Sequence, residues 1–145
     1  MISKSLTITQ IEQILPQRYP FLLIDKVLDY KENDYLVAVK NITGNEWACG
    51  ERGESEEFPQ VLLVEAAAQA AIVLYHVSKA RNENSPQYFL GKIEAEFLSS
   101  SQAGDQIKIS VSSGKMLGAG GYSDITVESS GKKICEIRIF YGIKN

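Results

Sequence analysis

The sequence predicts a single α+β domain in which an antiparallel sheet packs against one long apolar helix. Its 145 residues, 44% of them hydrophobic, make about one domain with enough apolar surface to bury a core. A nearly apolar run from Val61 to Val77 is too long for a strand and predicts a helix. The alternating runs that follow it, separated by glycine-containing turns, predict antiparallel strands. A sheet with a helix on one face buries the apolar side of both.

The N-terminal part predicts a short helix and a hairpin. Thr9 can cap the helix over "ITQIEQIL", which Pro16 ends. The runs "FLLIDKVLDY" and "YLVAVKNIT" are joined by "KEND" and have the pattern of a β-hairpin. A polar loop then leads to Pro59, where the long helix begins because proline in a first turn lacks an N–H that would be unpaired anyway.

The C-terminal part predicts four strands. In the last of them, Cys135, Ile137 and Ile139 fall on one face, and Glu136 and Arg138 fall on a mostly polar opposite face. We therefore expect this strand to bury one side only. The predicted strands are "QYFLGKIEAEFLSS", "DQIKISVSSGKM", "YSDITVES" and "KKICEIRIFYGI", and the turns between them are "QAGD", "GAGG" and "SSGK".

The long helix carries two polar residues in its apolar run, Glu65 and Gln69. The helix is apolar almost all round, which predicts a sheet curled around it or a second subunit against it. We expect Glu65 to be a buried carboxylate, a rare kind of group that clusters at functional sites. Since Glu65 and Gln69 are four residues apart, they share a face and can bond to each other or to a substrate. In the alternative interpretation, Gln69 and strand backbone simply satisfy Glu65.

Composition excludes several classes of function. The net charge of -3 gives no electrostatic case for nucleic acid, because phosphate binding needs clustered lysine and arginine. Cys49 and Cys135 lie too far apart to indicate a disulfide framework or a zinc site. The N-terminus lacks the apolar segment of a secretory signal, which favours a cytoplasmic location. Glu65 and Gln69 favour a core helix over a membrane span.

Four blocks of the sequence resemble one enzyme family in order and spacing. They are "ILPQRYPFLLIDKV", "VKNITGNE", "PQVLLVEAAAQAA" and "FLGKIEAEF" with the following "AGDQI". The chain resembles, over nearly its whole length, the hot-dog-fold (3R)-hydroxyacyl-[acyl-carrier-protein] dehydratases of bacterial fatty-acid synthesis. The resemblance implies an antiparallel sheet wrapped around one long central helix. It also implies a homodimer with a continuous sheet, a possible hexamer of three dimers, and no metal or redox cofactor.

The chain departs from this family in the catalytic segment. Where the family has Gly-His-Phe-Pro, an ungapped count back from Val61 places Gly50–Gly53, with Glu51 at the position of the histidine. Gln60 replaces the glycine that follows the family's proline. The chain is thus identified as a divergent member that lacks the usual catalytic histidine.

The resemblance assigns roles to residues at the start of the long helix. In the family, the histidine removes a proton from the carbon next to the thioester carbonyl, and a helix glutamate of the partner subunit protonates the departing hydroxyl. That glutamate maps onto Glu65, and the family's glutamine maps onto Gln69. The thioester oxygen is held at the helix N-terminus, where N–H donors around Gln60 and Val61 favour developing negative charge.

Glu51 is a candidate replacement for the missing base. Glutamate is the weaker base at neutral pH, with an ordinary pKa of about 4.3 against about 6.5 for histidine. A nearby second carboxylate, Glu65 of the partner subunit, can raise one pKa until the pair shares a proton. In the alternative interpretation Glu51 is one solvated charge in an acidic loop, beside Glu46, Glu54, Glu56 and Glu57.

Other candidate residues have simpler interpretations. Arg18 and Tyr19 lie in a block that, by resemblance, helps to shape the acyl tunnel. His76, the only histidine, lies eleven residues beyond Glu65. That spacing is about 16 Å along a helix, so the two side chains of one chain cannot meet. We interpret His76 as a residue favoured at a helix C-terminus, and Cys49 as a small loop residue rather than a nucleophile.

Three functions remain open from the sequence. The chain is a dehydratase that converts 3-hydroxyacyl thioesters to trans-2-enoyl thioesters, a thioesterase in which Glu65 activates water, or a non-catalytic protein that binds acyl chains or partner enzymes. The substrate carrier is acyl carrier protein or coenzyme A. The glutamates of the catalytic loop reduce attraction to an acidic carrier, which keeps both carriers open.

Overall fold

The computed structural model describes residues 4–47, 57–79, 87–117 and 120–144. It contains one long helix, one short helix and seven strands, which confirms the predicted α+β class. In chain order the elements are β1 (Lys4–Leu6), α1 (Ile8–Ile14), β2 (Lys26–Lys31), β3 (Tyr35–Asn41), α2 (Gln60–Lys79), β4 (Gln87–Phe97), β5 (Gln106–Leu117), β6 (Gly120–Ser129) and β7 (Lys132–Lys144).

The strands form one antiparallel sheet in the order β1-β2-β3-β5-β6-β7-β4. Helix α2 packs against β3, β5, β6 and β7, so the core lies between the helix and the middle of the sheet. The helix contributes mainly alanines and leucines to this core, and the strands contribute β-branched residues. The most buried of them include Leu63, Ala66, Ala67, Ala70, Val73, Leu36, Ile107, Ile109 and Val127.

Strand β7 has the predicted alternation from Cys135 onward. Ile134, which the same alternation places on the polar face, is instead 1% exposed, beside a register shift in the pairing with β6. Cys135, Ile137 and Ile139 are buried against the helix side, whereas Glu136 and Arg138 are exposed. Adjacent strands keep this register, because Ile137 pairs with Ile125 of β6. A slip of one residue would turn the apolar row toward solvent, so burial fixes the pairing.

The short helix begins at Ile8, where the predicted segment begins, but its N-cap differs from the predicted one. Its N-cap is Thr7 rather than Thr9: the Thr7 hydroxyl accepts a bond from Gln10 N at 3.3 Å, and Gln10 Oε1 accepts one from Thr7 N at 2.8 Å. This is a capping box. Thr9 and Glu12 have the same spacing, so the sequence alone did not distinguish the two starts. Strand β1, too short to show a periodic pattern, ends at Leu6 and fixes the helix start at the next residue.

The predicted hairpin is confirmed. Strands β2 and β3 pair from Lys31 and Tyr35 outward. Asn33 in the turn has φ 63°, a left-handed conformation that asparagine tolerates better than most residues.

Helix α2 begins at Gln60, one residue after the predicted start at Pro59. Within the described residues, its Gln60–Ser78 stretch is the one helix long and apolar enough to cross a membrane. The same composition is typical of a core helix, and one side of α2 is buried by the sheet. Residues 48–56, which contain the predicted catalytic segment Gly50–Gly53, and part of the "GAGG" turn lie outside the described residues.

Candidate functional site

Glu65 and Gln69 meet on one face of helix α2, as their spacing predicts. The Gln69 side-chain amide donates a hydrogen bond to Glu65 Oε1 at 3.2 Å. The expectation that Glu65 is buried is wrong for the single chain, because its side chain is exposed. The sheet covers the opposite face of α2, and Val61, Glu65 and His76 form an exposed stripe along the helix. A helix that is apolar nearly all round does not indicate which face the sheet covers.

Gln69 is buried and connects the helix to the chain that follows α1. It is 1% exposed. Its Oε1 accepts a bond from Leu23 N at 2.9 Å, and its Nε2 donates to Phe21 O at 2.8 Å. These two backbone partners determine the orientation of the Gln69 side-chain amide, because one is a donor and the other an acceptor. The second N–H of the Gln69 amide is therefore directed at Glu65.

The first turn of α2 lies beside this pair. Val61 is 70% exposed, and the Gln60 side chain is also exposed, with Nε2 3.5 Å from Ser99 O. The first N–H groups of any helix lack intrahelical partners and lie at its positive end. Glu65 lies five residues beyond Gln60, about 7.5 Å along the axis. One acyl thioester can reach both the helix end and the carboxylate.

An exposed aromatic patch, formed by Tyr19, Phe21 and Trp47, flanks the pair. Their side chains are 88%, 62% and 49% exposed. The rings of Phe21 and Trp47 meet edge to face at 6.1 Å, and Trp47 Nε1 donates to Pro20 O at 3.1 Å. The backbone of Phe21 reaches the pair, because its carbonyl oxygen accepts the bond from Gln69. Of these three aromatic residues, the family resemblance indicates Tyr19 alone. Clustered exposed aromatic residues indicate a surface that another molecule covers.

Arg18 holds the end of helix α1. Its guanidinium donates to the carbonyl oxygens of Glu12, Leu15 and Gln17 at 2.9, 2.9 and 2.8 Å. Its Nε also lies 3.5 Å from the Glu12 carboxylate. Carbonyls at a helix C-terminus need such partners because no later turn supplies them. In the single chain Arg18 therefore supports the turn that presents the aromatic patch, and a contact of Arg18 with substrate stays a prediction.

The remaining titratable candidates lie apart from this site. His76 is exposed in the last turn of α2, as predicted. Cys135 is buried in β7, and burial raises the pKa of its thiol to about 11. Glu51 and Cys49 fall in the segment outside the described residues. Among the residues that the structure describes, no three His, Cys, Asp or Glu side chains are grouped so as to hold a metal ion.

Comparison with known proteins identifies the family. A family model described as a FabA-like domain matches residues 15–138. The 3-hydroxyacyl-[acyl-carrier-protein] dehydratase FabZ of Vibrio cholerae is 42% identical over 110 residues, which cover 74% of this chain and 72% of that protein. The Bacillus cereus FabZ is 34% identical over 139 residues, covering 95% of this chain and 96% of the relative.

Solved structures share the fold at low sequence identity. A chain of the dehydratase heterocomplex ApeI:P from Xenorhabdus doucetiae has a TM-score of 0.75 at 15% identity, covering 93% of this chain and 91% of that one. A hypothetical thioesterase from Streptococcus pneumoniae, solved with coenzyme A, has a TM-score of 0.65 at 9% identity, with coverages of 82% and 84%. Both confirm the hot-dog fold. Since the FabA-like model spans most of the sequence and the FabZ proteins align along it, this chain belongs to the FabA-like family of hot-dog-fold 3-hydroxyacyl-[acyl-carrier-protein] dehydratases.

Proposed function

We propose that this chain dehydrates 3-hydroxyacyl thioesters to trans-2-enoyl thioesters. The observation that carries the proposal is the exposed carboxylate of Glu65, held by Gln69 and placed just after the positive end of α2. A carboxyl group in this place can act on a hydroxyl while the helix end holds a thioester oxygen. Membership of the dehydratase family supports the same reaction.

The reaction needs a base, an acid and a site for negative charge. The base removes a proton from C2, and the electron pair of that C–H bond forms the C2=C3 double bond. The C3–O bond breaks, and the hydroxyl leaves as water with a proton from Glu65. N–H donors at Gln60 and Val61 stabilise the charge that develops on the thioester oxygen.

We assign the base to Glu51 of the second protomer. The assignment is supported by its alignment with the family's histidine and by the position of His76, the only histidine, at the far end of α2. After turnover Glu51 carries the substrate proton and Glu65 is ionised. One proton transfer between the two carboxyl groups, direct or through water, restores the starting state.

We propose a homodimer in which two copies join through β4. This strand is at the edge of the sheet and pairs with β7 alone among the described strands. Ile93, Phe97 and Leu98 in and after β4 are 36%, 41% and 47% exposed. Free edges with apolar side chains are templates for pairing with another chain. A second copy on this edge would also bring its own residues toward the exposed Glu65 face, which the active site proposed here requires.

Mass measurement in solution tests the assembly. A dimer, or a hexamer of three dimers, supports the proposal, and a monomer at micromolar concentration contradicts it. The Xenorhabdus protein is a heterocomplex. A second hot-dog chain is therefore the alternative partner, and mixed assemblies in the native host would reveal it.

The activity test uses two substrates on two carriers. The purified protein is incubated with a 3-hydroxyacyl thioester and a saturated acyl thioester, each on acyl carrier protein and on coenzyme A. An enoyl product that is lost in Glu65→Gln supports dehydration, and the preferred carrier identifies the partner. Free thiol without enoyl product would indicate a thioesterase in which Glu65 activates water. Acyl binding with neither product would indicate a non-catalytic protein.

A further inference from the structure

Strand β3 carries a lysine in its core-facing row. Leu36, Ala38 and Ile42 alternate with Lys40 on the inner side of the sheet and are 0%, 0% and 2% exposed. Lys40 itself is 7% exposed. Lysine is rarely buried without a charged partner, so its surroundings must supply one.

The partner is Glu46, in the turn that follows β3. Lys40 Nζ lies 2.9 Å from Glu46 Oε1, and the two side chains are 8% and 10% exposed. The same Lys40 Nζ lies 5.6 Å from the centre of the Phe58 ring. The ammonium group therefore joins a carboxylate and an aromatic face in one nearly dry site.

These two partners flank residues 48–56, the segment that leads into α2. Glu46 lies two residues before this segment, and Phe58 lies two residues after it. Phe58 is 2% exposed, and its N–H donates to Ser101 O at 2.8 Å, which ties it to the sheet side. Because Phe58 and Pro59 directly precede Gln60, the position of Phe58 sets the position of the helix N-terminus.

Stability alone does not explain a buried ion pair here. Replacing both members of such a pair with apolar side chains is often neutral or stabilising, whereas removing one leaves an uncompensated buried charge. Packed leucines would not fix one geometry between separate parts of the chain, whereas directional contacts do. The contacts of Lys40 join β3 to the turn that holds Glu46 and to Phe58.

We propose that Lys40, Glu46 and Phe58 form a clamp that positions the N-terminus of α2 and ties it to the turn after β3. Its effect on rate rests on the proposed function: the clamp fixes the N–H donors of the first turn relative to Glu65. None of the three touches the substrate, so each is a positioning residue. A misplacement of about 1 Å in such a site can cost about a hundredfold in rate.

The test replaces the ion pair with apolar side chains in the full-length protein. The variant is Lys40→Met/Glu46→Leu, and the matched control is Lys108→Met/Glu128→Leu. The control pair lies on the neighbouring strands β5 and β6, with Nζ and Oε1 3.6 Å apart and side chains 52% and 32% exposed. Hydrogen–deuterium exchange, kcat and KM are measured for both. Phe58→Leu removes the aromatic ring and keeps an apolar side chain. It provides a second test of the clamp if the double variant does not fold.

The clamp predicts a local loosening with an intact fold. Amide exchange at residues 42–47 and 57–62 should accelerate about tenfold, with residues 66–79 unchanged. The kcat should fall about tenfold or more, with KM within about twofold. The control should match the wild type in all three.

Two outcomes separate the clamp from the activity. Wild-type exchange and kcat in both the double variant and Phe58→Leu would overturn the clamp. A wild-type protein that dehydrates nothing, together with faster exchange in the double variant, would refute the proposed function and support the clamp.

Discussion

The Glu65 carboxylate accepts a hydrogen bond at 3.2 Å from Gln69, whose amide is itself fixed by the backbone of the chain after α1. Of the described residues, Gln69 alone is hydrogen-bonded to this carboxylate. The acid is thus held by a neutral amide donor, whose orientation two backbone groups fix. This arrangement suits a carboxyl group that must gain and lose a proton during turnover.

Replacing the acid should remove turnover and leave the fold intact. In Glu65→Gln the side chain keeps its shape and loses its transferable proton, so kcat should fall about 10² to 10⁴-fold. Because the glutamine oxygen can still accept the bond from Gln69, the free energy of unfolding should change by less than about 0.5 kcal/mol. Enoyl formation and denaturant unfolding measure the two effects. His76→Gln, on the same exposed stripe, is the control and should retain wild-type kcat.

Replacing the amide should weaken the fold. Gln69→Leu leaves the Leu23 N–H and the Phe21 carbonyl without their partner, and each unsatisfied buried group costs about 1–3 kcal/mol. We expect a total loss of about 2–6 kcal/mol in the free energy of unfolding. Gln60→Leu, at the exposed start of the same helix, should change it by less than about 0.5 kcal/mol. Equal stability of the two variants in urea would contradict the role of Gln69.

Glu51→Gln tests the second carboxyl group. If Glu51 is the base, kcat should fall about 10² to 10⁴-fold while acyl-thioester binding persists. Glu54→Gln, in the same acidic segment, is the matched control and should leave kcat unchanged. A Glu51→Gln protein with full turnover would show that Glu51 is one solvated charge among several.

A charged residue on the free edge should separate the protomers. Ile93→Lys places an ammonium group on β4, a device by which sheet edges avoid pairing. We expect a lower mass in solution and loss of dehydration, since in the proposed dimer each site takes groups from both copies. Leu28→Lys, at a side chain 42% exposed on β2, is the control and should remain dimeric and active. A dimeric, active Ile93→Lys protein would place the interface elsewhere.

The buried thiol should make stability fall in alkaline solution. Burial raises the pKa of Cys135 from 9.0 to about 11, so the folded protein keeps a proton that the unfolded chain releases. The stabilisation is complete below the unfolded pKa and is lost as the pH rises through the folded value. The free energy of unfolding should therefore decline between about pH 9 and 11. The decline attributable to Cys135 should vanish in Cys135→Ala. A thiol reagent at about pH 8 should label Cys135 only after unfolding.

Local patterns predicted the elements well, and long-range contacts decided the rest. Alternation in β7 identified its buried side because one face of that strand is apolar. The sequence did not predict the exposure of Glu65, because α2 is apolar on nearly every side. The contacts of Gln69 with Phe21 and Leu23 join residues 48 and 46 positions apart. They depend on how the segment after α1 crosses the helix, for which no periodic signal exists.

The buried Lys40–Glu46 ion pair could not be predicted from the sequence. The inward direction of Lys40 follows from the alternation of β3, which the sequence displays, but a lysine in a core row is normally dismissed as the end of the buried stretch. In sequence, its partner Glu46 belongs to a run of acidic residues typical of a solvated loop. The turn after β3, which has no sequence signal for this contact, brings the two side chains within 2.9 Å.

The strand order has a consequence for synthesis on the ribosome. Strand β4 directly follows α2 in sequence, yet it joins the sheet through β7, which comes after β5 and β6 in the chain. While Lys132–Lys144 is missing from a nascent chain, β4 lacks the strand that pairs with it in the described sheet. Docking of β4 onto this sheet must therefore wait until translation has delivered this thirteen-residue strand.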